Sequence, residues 1–200
     1  TETYGGGVFV YPNGEFTMTG GTISNNTATI NGGGVYINSG TFTMNGDTTK
    51  IKENTANGDG GGVYVAGSTF AMEDGTIEKN EANYGGGVYV SGGTFTMKGS
   101  ASAITGNTAR GKVQSGGLDG GGGGVYLNGA TFEMSGGTIS GNETAGSLAN
   151  SGGGGHSHNL RDWHAFRRNP RRHDNAFRLC GGQTGLERGH RRDDNAAHLR

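Results

Sequence analysis

Histidine and tryptophan are missing from residues 1–155, and arginine occurs there only once, at Arg110. Catalytic devices that need an imidazole, or a cluster of arginines around an acidic sugar or phosphate, have nothing to build on in that stretch. A single cysteine, Cys180, permits no internal disulfide and no paired-cysteine zinc motif. Only 2 of 200 residues are proline, and the 45 glycines do not fall at every third position, which excludes a collagen helix. No apolar run is long enough for a membrane-spanning helix, and no segment has the build of a signal peptide. Thr1 precedes a repeat signature by a few residues, so the chain reads as a piece of something longer. A missing leader then says little about destination. Abundant glycine with a hydrophobic fraction of 30% leads to disorder unless the glycines serve a repeating architecture.

The formal net charge of −1 hides a division. Through Gly155 the chain carries 6 Lys and Arg against 12 Asp and Glu; from His156 onward it carries 10 Arg, no Lys and 5 Asp and Glu. All 6 histidines, Trp163 and Cys180 lie in that second part. The sequence therefore divides into residues 1–155 and residues 156–200.

The first part is repetitive. A glycine run followed by Val-aromatic-aliphatic appears as Val8-Phe9-Val10, Val35-Tyr36-Ile37, Val63-Tyr64-Val65, Val88-Tyr89-Val90 and Val125-Tyr126-Leu127. The leading valines are 27, 28, 25 and 37 residues apart, the last gap enlarged by an inserted loop at Gly111–Gly120. Each is followed by a Phe-x-Met pair (Phe16/Met18, Phe42/Met44, Phe70/Met72, Phe95/Met97, Phe132/Met134) and then by Ile23, Ile51, Ile77, Ile104 or Ile139. Three residues after each isoleucine stands Asn26, Asn54, Asn80, Asn107 or Asn142.

These short period-2 patterns predict three strands per repeat, with the aliphatics, Phe and Met on one face and the central aromatic and threonines on the other. One repeat alone buries about five apolar side chains, worth ~10 kcal/mol gross, which does not offset the ordering of its backbone at ~1–2 kcal/mol per residue. Stacked repeats share a ladder and a core. The fold predicted is therefore all-β: a right-handed parallel β-helix of about five coils of ~27 residues, the hand following from the rule for parallel crossovers. The asparagines are expected to form an inward amide ladder that satisfies a tight turn, and the glycine runs to allow the bend before the first strand.

The succession GGGVYV, GTFTM, GGTI and NTA resembles the glycine-rich right-handed parallel β-helix repeats of bacterial surface proteins, of adhesin-like, autotransporter-passenger or polymorphic outer-membrane type. The resemblance covers residues 1–155. It implies an extracellular or cell-surface, outer-membrane-associated or secreted segment, structural or adhesive, whose partner is a glycan or a host cell-surface protein. The alternative it implies is a fragment of a carbohydrate-active β-helix, lyase or hydrolase, with its catalytic coils elsewhere.

No catalytic constellation is visible in the repeats. Asp47, Asp59, Asp74 and Asp119 fall at different phases except Asp59 and Asp119, which are two coils apart, or roughly 10 Å. Turn carboxylates in solvent are the simpler account. Neither a metal site nor a cofactor is expected, and NGDGGG at 57–62 lacks the calcium-binding nonapeptide spacing. The candidate binding residues are the outward aromatic column Phe9, Tyr36, Tyr64, Tyr89 and Tyr126, which suits sugar stacking or a partner protein and equally suits self-stacking. A second outward column, Thr41/Thr43 and Thr94/Thr96, has the form of an ice-binding array. It is interrupted by Glu15, Ala71 and Glu133, and reads as solvent-facing strand threonine.

After the glycines at 152–155 the sequence gives His156-Ser157-His158 where Val-Tyr-Val is due. Valine, isoleucine, tyrosine, methionine and lysine never recur. Residues 156–200 are read as a basic Arg/His-rich tail, disordered or a frameshift product, taking no part in the solenoid. Nucleic acid is not expected as its partner, since intervening acids hold the net charge of this part to +5.

Overall fold

A computed structural model describes residues 1–111 and 121–144, together with the backbone of 155–157 and 163–165. Among the described residues there is no helix. Five stacked rungs form a parallel β-solenoid. The first rung holds β1 (Val8–Val10), β2 (Glu15–Met18), β3 (Thr22–Ser24) and β4 (Thr27–Ala28); the second holds β5 (Val35–Asn38), β6 (Thr41–Met44), β7 (Lys50–Lys52) and β8 (Thr55–Ala56). In the third, one long strand β9 (Val63–Met72) is followed by β10 (Thr76–Glu78) and β11 (Glu81–Ala82); in the fourth, β12 (Val88–Met97) by β13 (Ala103–Thr105) and β14 (Thr108–Ala109). The fifth has β15 (Val125–Asn128), β16 (Thr131–Met134), β17 (Thr138–Ser140) and β18 (Glu143–Thr144).

Every pairing is parallel and joins equivalent repeat positions: Val35 with Val63, Phe70 with Phe95, Ile77 with Ile104. Three sheets result. They are divided differently from the three strands that the landmarks predict. The Val-Tyr-Val and Phe-x-Met segments belong to one sheet, continuous in β9 and β12. The third sheet is built from two-residue strands after each asparagine, Thr-Ala in β4, β8 and β14, Glu-Ala in β11 and Glu-Thr in β18. Pairs so short carry no alternation of their own. They are ladder-competent only because the asparagine before them is fixed.

Inward positions repeat with little variation. In the second rung Val35, Ile37, Phe42, Met44, Ile51 and Ala56 are fully buried, and the third rung repeats this with Val63, Val65, Phe70, Met72, Ile77 and Ala82. The phenylalanines stack from Phe16 to Phe132 with ring centroids 4.8–5.1 Å apart. That spacing is the strand separation itself, so each ring inherits its partner from the ladder.

The asparagine ladder turns inward as expected, and its bonds are complete. Asn54 Nδ2 donates to Asn80 Oδ1 at 3.0 Å and to Ile23 O at 3.0 Å, while Asn54 N–H donates to the same Asn80 Oδ1 at 3.0 Å. The unit repeats from Asn80 to Asn107 and from Asn107 to Asn142. Before each asparagine the chain enters the left-handed region, at Asn25, Glu53, Lys79, Gly106 and Gly141, with φ between 55° and 62°. Glu53 and Lys79 pay for this with Cβ strain, which costs about 1–2 kcal/mol in an L residue. Lys79→Gly is therefore expected to stabilise the solenoid by roughly 0.5 kcal/mol, after glycine's larger unfolded-state entropy is subtracted. Gly106→Ala should destabilise it by about 1 kcal/mol, although the nearest side-chain atom to the new methyl, Lys79 Cγ, is 3.8 Å away. Urea titration of both variants checks this, and equal shifts of the same sign would contradict it.

In the first four runs only the leading glycine, Gly5, Gly32, Gly60 or Gly85, makes the expected bend, with φ +67° at Gly60. The next two serve close approach. A Cβ on Gly62 would lie 2.6 Å from Gly87 O and 2.9 Å from the Ile77 side chain, and one on Gly61 would overlap Gly86 O.

Beyond the fifth rung, β19 (Gly155–Ser157) pairs with β15 and β20 (Trp163–Ala165) pairs with β16. Trp163 stands in register with Phe132 and His156 with Tyr126. The expected break at Gly155 thus does not hold for the backbone of these two segments, which takes up the existing ladder. The rest of the tail and residues 112–120 of the inserted loop at Gly111–Gly120, Asp119 among them, lie outside the described residues.

Candidate ligand face

The aromatic column is assembled by the ladder that aligns Phe9 with Tyr36, Tyr36 with Tyr64, Tyr64 with Tyr89 and Tyr89 with Tyr126. All five positions therefore come together. Ring centroids follow at 5.1, 5.0, 5.0 and 4.9 Å, nearly parallel in the middle, where the interplanar angle is 4°. Each inner ring thereby has both faces covered by its neighbours and offers solvent only an edge and a hydroxyl. Stacking a sugar needs a free face. The inner tyrosines cannot supply one without breaking the column.

Exposure along the column is uneven. Phe9, Tyr36 and Tyr64 are half-buried, whereas Tyr89 is 7% and Tyr126 4% exposed. Flanking tyrosines account for part of this. Tyr84 packs 5.3 Å from Tyr126, Tyr4 meets Tyr36 edge-on at 5.0 Å, and Tyr11 lies 4.6 Å from Phe9. Tyr4, Tyr84, Asn31 and Asp59 share one repeat position, since Gly5, Gly32 and Gly60 donate to the carbonyls of Asn31, Asp59 and Tyr84. The freely presented aromatic surface belongs to Tyr11, 71% exposed, and Tyr4, 42% exposed. The five-residue column does not contain them. Tyr11 follows Val10 at a non-repeating position, so only its being an aromatic in a turn marked it out.

The phenol oxygens find partners one rung further on. Asn128 Nδ2 donates to Tyr89 Oη at 3.4 Å, and Tyr64 is hydrogen-bonded to Ser91. Ser91 and Asn128 stand two residues after a tyrosine, on its face of the strand, and are paired with each other. The sequence offers this signal once the rungs are registered. Burial raises the Tyr36 and Tyr64 phenols above their ordinary value, and pushes Tyr89 up to about 12, with Asp59 and the neighbouring tyrosines adding and the Asn128 bond opposing. A phenol whose folded pKa exceeds its unfolded value contributes stability that is whole below pH ~10 and is lost as pH rises towards ~12. The melting temperature should accordingly fall across that window, and Tyr89→Phe should flatten the fall. An unchanged slope in the variant would contradict it.

Asp74 Oδ1 accepts from Ala101 N–H at 3.2 Å in a turn, and no three His, Cys, Asp or Glu side chains among the described residues gather as metal ligands. No helix there is long and apolar enough to cross a membrane. The interrupted threonine array is present as Thr41, Thr69, Thr94 and Thr131 in one row, with Thr43, Ala71, Thr96 and Glu133 beside it.

Set against family models, curated proteins and solved structures, the chain has no match. What it can do has to be taken from its own surface.

Proposed function

We propose that this chain is a structural and adhesive segment of a bacterial cell-surface or secreted protein, in which a self-supporting solenoid presents varied outward residues at fixed intervals. The observation that carries this is the contrast between the two sides of each strand. Inward positions repeat as Val, Phe, Met, Ile and Asn from rung to rung. Outward positions change from Glu15 to Thr41 and Thr69, or from Thr22 to Lys50, Thr76 and Ala103, in the same ladders. A scaffold whose stability rests on its interior leaves its surface free to vary. The likeness of GGGVYV and GTFTM to surface-protein repeats supports the location.

For contact with a glycan or a host surface protein, the aromatic faces of Tyr11 and Tyr4 are better placed than the inner column. Binding of the purified chain to a polysaccharide panel and to cultured cells tests the adhesive part. Tyr11→Ser and Tyr4→Ser should weaken binding while lowering the melting temperature less than Tyr89→Ser does. Absence of any binding, or binding indifferent to Tyr4 and Tyr11, would remove adhesion through this face. Rapid digestion of the folded chain by a broad protease would remove the scaffold part.

A further inference from the structure

Asparagine followed by glycine occurs five times among the described residues, at Asn13, Asn31, Asn45, Asn57 and Asn128. In such a pair the glycine nitrogen reaches the asparagine side-chain carbon easily, because no Cβ obstructs the approach. The attack needs that nitrogen free of a hydrogen bond and a backbone able to bend. Three of the pairs are bound. Gly14 N–H donates to Tyr11 O at 2.8 Å, Gly32 N–H to Asp59 O at 3.0 Å, and Gly58 N–H to Ile30 O at 2.6 Å. The Asn31 carboxamide also accepts from Asp59 N–H at 2.8 Å. Gly129 N–H has no hydrogen-bond partner among the described residues, but Asn128 is held on both sides of its Cα, by the β15 ladder and by an amide donated to Tyr89.

At Asn45 the side chain is exposed, and neither it nor the Gly46 N–H has a hydrogen-bond partner among the described residues. The Gly46 carbonyl, by contrast, is held by Thr49, through N–H at 3.0 Å and Oγ1 at 2.7 Å. The turn is also longer than in the first and third rungs: Ile51 follows Met44 by 7 positions, as Ile104 follows Met97, against 5 from Met18 to Ile23 and from Met72 to Ile77.

We propose that Asn45 is a built-in deamidation site of this solenoid. The Gly46 nitrogen bonds to Asn45 Cγ, the carboxamide C–N bond breaks, and ammonia leaves carrying the proton lost by Gly46. Water then opens the five-membered imide, its hydroxyl going to the carbonyl carbon and its hydrogen to the departing nitrogen, to leave aspartate or isoaspartate. Water is the only co-reactant. The added negative charge falls beside Asp47, in a position that other rungs already use for charge. Asn45, Glu73 and Lys98 make the same backbone bond, to Met18 O, Met44 O and Met72 O.

The test incubates the folded chain, and the same chain unfolded in urea, at mildly alkaline pH and follows amide-to-acid conversion peptide by peptide by mass. Unfolded, the five pairs should convert at similar rates. Folded, Asn45 should stay within about threefold of its unfolded rate, while the other four slow by about tenfold or more, as when a hydrogen bond must first open. Asn45→Asp should keep the β spectrum of the parent chain. Another pair converting as fast as Asn45 in the folded chain, or Asn45 slowed as much as the rest, would overturn the proposal.

Discussion

Replacing Asn80 by alanine should destabilise the solenoid by about 3–6 kcal/mol, at about 1–3 kcal/mol for each buried polar group that loses a partner. Four groups do so. The N–H and Nδ2 of Asn54 both give up Asn80 Oδ1 as acceptor, and Ile51 O and Asn107 Oδ1 give up Asn80 Nδ2 as donor, while Asn54 Nδ2 keeps Ile23 O and Asn107 Oδ1 keeps the Asn80 N–H. Asn80 is 1% exposed, so water does not replace what is removed. The aspartate variant separates hydrogen bonding from shape. Asn80→Asp keeps both accepting bonds but faces Ile51 O and Asn107 Oδ1 with a carboxylate that cannot donate. It should be strongly destabilised at neutral pH and partly rescued in acid, where the protonated group donates once. Equilibrium unfolding in urea, followed by circular dichroism at several pH values, measures both. An Asn80→Ala chain within 1 kcal/mol of the parent, by the same scale of hydrogen-bond cost, would mean that the ladder only decorates the turn.

Phe70→Ala should cost about 3–5 kcal/mol, the range for emptying a buried aromatic site. Phe70 is fully buried, and its ring lies 5.0 Å from Phe42 and 4.8 Å from Phe95, so two stacked pairs are lost together. At ~0.5–1.5 kcal/mol per pair beyond area burial, these place the variant in the upper half of that range. Phe16→Ala is the internal comparison, because Phe16 is half-buried and stacks on Phe42 alone, at 5.1 Å. Its loss should be less than half as large. Equal losses at the two positions would show that the column is not additive from neighbour to neighbour, contrary to the behaviour expected of a solenoid.

Most of the interior was legible because stacking forces like onto like. Val35, Phe42, Ile51 and Asn54 announce themselves by recurring at fixed intervals, and every one of them is buried. What escaped notice does not recur or carries no pattern. The Thr27-Ala28 strand is two residues long, too short to alternate. Glu53 and Lys79 occupy a left-handed position that nothing in their chemistry favours, visible only by alignment with Gly106 and Gly141. Ser39, in the same conformation, bends the path between β5 and β6 without ending the sheet, so two landmarks that look like separate sheets share one. The recurrence of Val-aromatic-aliphatic puts five aromatics in one column, and the ladder holds them in that register. That its rings consume one another's faces follows only from their ~5 Å spacing, and that Tyr126 is closed off follows from Tyr84, at a position held by Asn31 and Asp59 in the rungs before it.

The amides of Asn26, Asn54, Asn80 and Asn107 all point the same way, each nitrogen towards the asparagine oxygen of the following rung, the last of these being Asn142 Oδ1. The interior thus has an arrow. Amides linked in series polarise one another, and their dipoles sum along the solenoid axis. A rung added in the same sense extends that series at either end. A rung added in the opposite sense would set oxygen against oxygen or nitrogen against nitrogen, in a space without water to intervene. Any rung that joins this stack, at whichever end, must therefore carry its amide in the same sense as those already there.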